Sequence, residues 1–114
     1  MKLVDKNITV AELEEMSKKM FNKLVKAVLD IEKEVMVVDA SLHSDQELFL
    51  LENDSTQNNL WGINLYPERF GDTKWIEFDS MINMRPSQGN RSRGVDDLNI
   101  QKKIIDIVNK LVSK

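Results

Sequence analysis

The last stretch of the chain constrains its fold most. Ile100, Ile104, Ile107, Val108, Leu111 and Val112 recur at three- and four-residue spacing, which puts them on one stripe of an α-helix. Asp96 or Asp97 stands where an N-cap belongs, and Lys110 and Lys114 suit the negative end of the helix dipole. A one-sided helix of this kind needs an apolar surface to cover it. Two alternating segments supply one. Residues 60–66 alternate Trp61, Ile63 and Leu65 against Leu60, Gly62, Asn64 and Tyr66, until Pro67 stops the strand. Residues 75–83 alternate Ile76, Phe78, Ser80 and Ile82 against Trp75, Glu77, Asp79, Met81 and Asn83. The connection through Gly71 is short, so the two strands are expected to be antiparallel. The C-terminal helix is expected to lie on the Ile76, Phe78 and Ile82 face.

The first half of the chain adds a second helix and further strands. Thr9-Val10-Ala11-Glu12 is a capping-box pattern, followed by Leu13, Met16, Met20 and Leu24 on one helical face. It predicts a helix from Val10 to about Asn22. Residues 24–33 fit either period: Leu24, Ala27, Val28 and Ile31 continue a helix, while Val25, Ala27, Leu29 and Ile31 alternate as a strand. A hairpin into the β-branched run at 35–38 is the preferred reading, because a helix from Val10 to Lys33 is long for such a domain. Ser44-Asp45-Gln46-Glu47 is a second capping-box pattern before Leu48-Phe49-Leu50-Leu51, read as a short helix. Residues 53–59 are a polar loop. The expected fold is one α+β domain over residues 1–114, with an antiparallel sheet of three to five strands packed against N-terminal and C-terminal helices.

Composition removes several classes of function. The chain has 114 residues and no cysteine, which excludes disulfides, zinc–thiolate sites, iron–sulfur clusters and cysteine nucleophiles. No apolar run approaches the roughly 18 residues of a membrane helix, and the first residues reach a charge too soon for a signal peptide. A cytoplasmic location without membrane contact is expected. The net charge of −3 does not suggest broad nucleic-acid binding.

Against this acidic background, residues 84–95 stand out. Arg85, Arg91 and Arg93 occur there with no acid between them, among Ser87, Gln88, Asn90 and Ser92, and Gly89 and Gly94 allow unusual backbone or close approach. Arginine forks match phosphates and carboxylates, and the helix N-terminus that follows could add N–H donors. Asp96 and Asp97 compete for that N-terminus, and the spacing matches neither a Walker loop nor a dinucleotide fingerprint. The bland alternative is a solvated turn whose arginines pair with Glu77, Asp79 or Asp96. The candidate ligand-binding residues are Arg85, Ser87, Gln88, Asn90, Arg91 and Arg93.

Two weaker candidates stand beside it. If helices cover one face of the sheet, the other carries Asn64, Tyr66, Trp75, Glu77, Asp79 and Asn83. An exposed Trp75 there is a candidate interface, and hence a candidate homodimer contact. The single histidine, His43, lies near Asp39, Ser41, Ser44 and Asp45, so it is a candidate general base oriented by a carboxylate, and Asp39 and Asp45 are candidate acid–base groups themselves. No Gly-x-Ser-x-Gly elbow is present. No cofactor is expected, and no metal-ligating residue is singled out.

The segments Leu60-Trp61-Gly62-Ile63-Asn64-Leu65-Tyr66-Pro67 and Ile76-Glu77-Phe78-Asp79-Ser80-Met81-Ile82-Asn83, running into Arg85-Pro86-Ser87-Gln88-Gly89-Asn90-Arg91-Ser92, resemble a small prokaryotic family of uncharacterised proteins. Val38-Asp39-Ala40, Leu42-His43 and Asp45 resemble the same pattern, so the likeness runs over roughly residues 20–110. It implies that His43, Trp61 and the arginine loop belong to one recurring arrangement, and implies no activity. The leading expectation is therefore a small binding module that takes an anionic ligand or an acidic protein partner through residues 84–95. The alternatives are a hydrolase or phosphate-handling enzyme using His43 with the loop arginines, and a homodimeric interaction protein.

Overall fold

A computed structural model describes residues 1–21 and 23–114. Five strands form an antiparallel sheet in the order β1 (Lys2–Val4), β4 (Val35–Val38), β3 (Val25–Asp30), β5 (Leu60–Leu65) and β6 (Ile76–Glu77). A second, two-stranded parallel pair joins β2 (Ile8–Thr9) to β7 (Val112–Ser113). Three α-helices complete the α+β fold: α1 (Val10–Ser17), α2 (His43–Glu52) and α3 (Leu98–Leu111).

Local chemistry sets the element ends. Thr9 and Glu12 form the expected capping box, Thr9 Oγ1 accepting from the Glu12 amide at 3.2 Å and Glu12 Oε2 from the Thr9 amide at 3.1 Å. α1 tightens into a 3₁₀ turn at Lys18–Met20 and ends at Phe21, whose φ of 60° leaves the helical region. The expected end at Asn22 lies outside the described residues. The ambiguous segment is a strand, and the preferred hairpin forms. Asp30 organises its turn: the buried carboxylate accepts from the Glu32 and Lys33 amides at 2.9 and 3.0 Å and from the Ser55 hydroxyl at 2.6 Å. Residues 45–52 are helical as preferred, but the second capping box does not form. α2 starts at His43 with Leu42 at its cap, so Ser44 falls inside the first turn.

Helices cover both faces of the sheet. Ala27, Leu29, Met36, Val38, Trp61, Ile63 and Leu65 pack with Leu13 of α1 and with Ile104, Ile107, Val108 and Leu111 of α3. The opposite face is smaller: Val28, Val37 and Leu60 pack with Phe49 and Leu50 of α2 and with Ile82. Ile82 is therefore not on the α3 side, where Ile76 and Phe78 lie. The solvent face expected on this side is filled by α2, and Asn64 and Asn83 are buried in it. Trp75 is not exposed either. It is 5 % accessible and meets Phe70 edge-on at 4.9 Å, so it contributes to the core.

The strand expected over 75–83 is also shorter, because only Ile76 and Glu77 pair with β5. Beyond them the chain turns at Met81–Asn83, and a side chain takes over the edge of β5. Asn83 Oδ1 accepts from the Gly62 amide at 2.8 Å, and its Nδ2 donates to the Gly62 carbonyl at 2.9 Å. The approach needs glycine at position 62, since a Cβ there would stand 2.6 Å from Ser80 Cβ and Oγ. Gly62→Ala is therefore expected to destabilise the fold by about 1–3 kcal/mol through overpacking. The check is the midpoint of urea unfolding, with the slope unchanged.

Candidate functional site

Residues 84–95 form a tied loop. The Arg85 amide donates to the Asn90 carbonyl at 2.8 Å, and the Asn90 amide returns a bond to the Arg85 carbonyl at 3.1 Å. A 3₁₀ turn at Pro86–Gln88 lies between them and closes on Gly89, whose φ of 85° suits glycine. Asn90 is buried in the middle. Its Nδ2 donates to the carbonyls of Asn83 at 2.7 Å and Gly94 at 2.9 Å, and its Oδ1 accepts from the Asp96 amide at 2.8 Å. The two aspartates divide the work that was open to either. Asp97 caps α3, accepting from the Asn99 amide at 2.8 Å. Asp96 accepts from the Ser92 hydroxyl and from the Arg91 amide, and these bonds hold its carboxyl below the ordinary carboxylate range.

The three arginines have different fates. Arg85 turns back under the loop. It donates to the carbonyls of Gln57 and Leu60 and lies over the Trp61 ring, 4.4 Å from its centre. Burial pulls its guanidinium below the ordinary arginine value, while the Glu47 charge acts the other way. Arg93 donates from Nε to Asp79 Oδ1 at 2.6 Å, an ion pair about half exposed on both sides. Arg91 is exposed, and its side chain makes no hydrogen bond or ion pair with the described residues. Gln88 donates to the Asn58 carbonyl at 2.9 Å, and Ser87 is exposed. Of the six candidates, Arg85 and Asn90 are framework, Gln88 ties the loop to residues 57–59, and Ser87, Arg91 and Arg93 face outward.

His43 and Gln46 point from α2 onto the sheet. His43 Nε2–H donates to the Ile63 carbonyl at 2.7 Å, and Gln46 donates to the Lys26 carbonyl at 2.8 Å. His43 is only 8 % accessible. Burial is the main reason its pKa falls below the ordinary histidine value. The Ile63 bond and the Asp79 charge oppose that fall, and Lys26 and Arg93 add to it. The carboxylate acting on His43 is thus Asp79, one of the acids expected to pair with the arginines, and neither Asp39 nor Asp45. Asp39 pairs with Lys19 at 3.1 Å, and Asp45 stands exposed in the first turn of α2. The order of residues gives no direct signal for this grouping, which depends on α2 lying on the sheet so that His43 reaches the Ile63 carbonyl.

Next to this group, Asn64 Nδ2 and the Tyr66 hydroxyl donate to Glu77 Oε1 at 2.8 and 3.0 Å. Burial and this bond raise the Tyr66 pKa. Clefts open beyond the loop, among them the following. One of about 670 Å³ is lined by Lys23, Tyr66, Arg69, Thr73, Lys74 and Glu77, among others. Another of about 250 Å³ lies where α1 runs out, beside Lys26 and Asp39. Among the described residues, no three His, Cys, Asp or Glu side chains gather as a metal site.

Two outcomes test this geometry. The His43 imidazole is the only one in the chain, so its proton signals follow it without ambiguity. Its midpoint is expected below about 6.5, moving further down in Asp79→Asn and up in Arg93→Gln. Because the unfolded chain then binds more protons than the folded one just below that value, stability is expected to fall as pH drops through it and to level out below the folded pKa. Separately, Arg85→Ala is expected to cost about 1–3 kcal/mol by leaving the buried Leu60 carbonyl without its guanidinium donor. Arg91→Ala is expected to stay within about 0.5 kcal/mol of the parent. Thermal or urea unfolding of the two variants compares them.

No curated protein and no solved structure matches the chain significantly. A family model described as "Protein of unknown function (DUF5674)" covers residues 2–111, nearly the whole chain, and the protein belongs to that family.

Proposed function

We propose that the protein is a small binding module that takes an anionic ligand or an acidic partner on the outward side of residues 84–95, through Arg91 and Arg93 with Ser87 beside them. The observation that supports this most is at Arg91. Its backbone amide is fixed by the Asp96 carboxylate at 2.8 Å, while its guanidinium is exposed and makes no bond to the described residues. A guanidinium on an ordered main chain loses less freedom on binding than one on a loose loop. Arg93 offers its outer nitrogens beside it, although Asp79 offsets its charge. Such an ion pair, half exposed, is worth only about 0–1 kcal/mol and yields readily to a competing anion. We take the site of action to be the cytoplasm on the ground of the cysteine-free composition; no described helix is long and apolar enough to cross a membrane.

A second reading, an acid–base enzyme, is favoured by one observation. The Ile63 carbonyl keeps the proton on Nε2 of His43, which leaves Nδ1 as the basic nitrogen of a ring on which the Asp79 and Arg93 charges act. The burial of His43 weighs against it, because a general base needs reach to a substrate proton. The binding reading is therefore the conclusion.

The test is titration calorimetry of the parent and of the Arg91→Ala/Arg93→Ala double variant with inorganic phosphate, a nucleotide panel and polyglutamate. A charge-assisted bond is worth about 1.5–3 kcal/mol, so the double variant is expected to bind at least about tenfold more weakly. Equal binding by both proteins, or no binding of any probe by the parent, would overturn the proposal.

A further inference from the structure

We propose that the outer side of α2 docks a protein partner that presents apolar side chains flanked by lysine or arginine. The polarity of α2 is partly reversed. Its inward positions include His43 and Gln46, which bond to the Ile63 and Lys26 carbonyls of the sheet. Leucines stand outside instead. Leu48 is 54 % accessible and Leu51 39 %, and Leu42 at the cap is exposed as well. Leu48 and Leu51 are three residues apart, so they are neighbours on one face of the helix. A single exposed leucine is ordinary. A pair side by side, on a helix whose buried face is partly polar, marks a surface that the core does not use. The turn at Met81–Asn83 lies against α2 through Ile82, and Met81 and Met84 on either side of Ile82 in the chain are exposed too.

Charge selects the partner. Residues 34–68 contain seven acids and no lysine or arginine, although the chain holds 16 of those bases. The charges of α2 are therefore the acids Asp45, Glu47 and Glu52, with Asp54 just beyond its end. Asp45 and Glu52 are exposed, and they stand three residues before and four residues after Leu48, which puts both beside it on the helix surface. None of these four acids forms an ion pair with the described residues. Bases from elsewhere meet other parts of the segment: Lys33 donates to the Asn53 carbonyl at 3.1 Å, and Arg85 and Glu47 feel each other's charge.

An apolar pair with an acid towards each end is complementary to an apolar segment with bases towards its ends. The same acids count against other occupants. A second copy packed α2 against α2 sets acids on acids, and an anionic lipid surface is repelled. This surface is separate from the outward side of the 84–95 loop and takes the opposite charge.

The experiment titrates the protein into a fluorescent synthetic amphipathic helix of leucine and lysine and follows its anisotropy. The matching helix of leucine and glutamate, and a polylysine of equal length, serve as comparisons. The leucine–lysine helix is expected to bind saturably, the leucine–glutamate helix not to bind, and polylysine to bind at least about tenfold more weakly. Leu48→Gln/Leu51→Gln and Asp45→Lys/Glu52→Lys are each expected to weaken binding of the leucine–lysine helix about tenfold or more. Their circular dichroism is expected to match that of the parent, since all four positions are exposed. Arg91→Ala/Arg93→Ala is expected to bind like the parent, which separates this surface from the loop. No saturable binding of the leucine–lysine helix, equal binding by folded Leu48→Gln/Leu51→Gln, or equal binding of the two leucine helices would overturn the proposal. Two further outcomes would do the same by naming another occupant: a dimer of the parent in sedimentation that Leu48→Gln/Leu51→Gln dissolves, or flotation of the parent with anionic vesicles that this variant abolishes.

Discussion

One side-chain amide determines how the second half of the chain is arranged. β6 pairs with β5 for only two residues, so the rest of the β5 edge needs other partners for its backbone groups. Asn83 supplies them. Its amide is held by both the N–H and the C=O of Gly62, which is the exchange a neighbouring strand would make. The same Nδ2 reaches the Arg93 carbonyl at 3.0 Å, and the Ser80 amide meets that carbonyl at 2.9 Å. The end of the sheet and the far side of the arginine loop are thus fastened at one point. Arg85 continues the edge by taking the Leu60 carbonyl. A real strand here would have continued the alternation and would have left no turn from which the loop could start.

This accounts for what could and could not be read from the residues. Patterns that end in burial on a single face were legible. The α3 stripe, the β5 alternation and the Thr9–Glu12 box each state a local requirement that the fold meets. The polar face was not legible. Asn64 and Asn83 look like solvated positions in a period count, yet both are buried and bonded, Asn83 to the Gly62 backbone and Asn64 through Nδ2 to Glu77. A buried amide and a hydrated one have the same letter, and the difference is made by α2 lying on that face. The burial of Trp75 follows from the same error. Once α2 and the 81–83 turn cover one side, the nine-residue strand is no longer needed, and Trp75 drops into the core beside Phe70.

The candidate site divided along similar lines. Clustering of arginines in sequence was visible, but the partner of each depends on contacts across the fold. Arg85 finds carbonyls at Gln57 and Leu60, Arg93 finds Asp79, and Arg91 finds no described partner. The pairing with Asp79 was among the alternatives because both residues flank the same turn. The role of Asp96 could be anticipated in kind, since an acid at that place had to cap or tie something. The effect of Asp79 on His43 could not, because it depends on where α2 lies on the sheet.

His43 lies among charges of both signs. Burial is the main cause that disfavours its imidazolium, Lys26 and Arg93 add to it, and the Ile63 bond and Asp79 oppose it. Proton uptake leaves the Nε2–H bond to Ile63 in place, since the same nitrogen is the donor in the charged form. What changes is the charge buried between α2 and the sheet. Burial of that charge is unfavourable, so an ionised His43 weakens the packing of α2 on the sheet, while the framework that Asn83 holds is untouched.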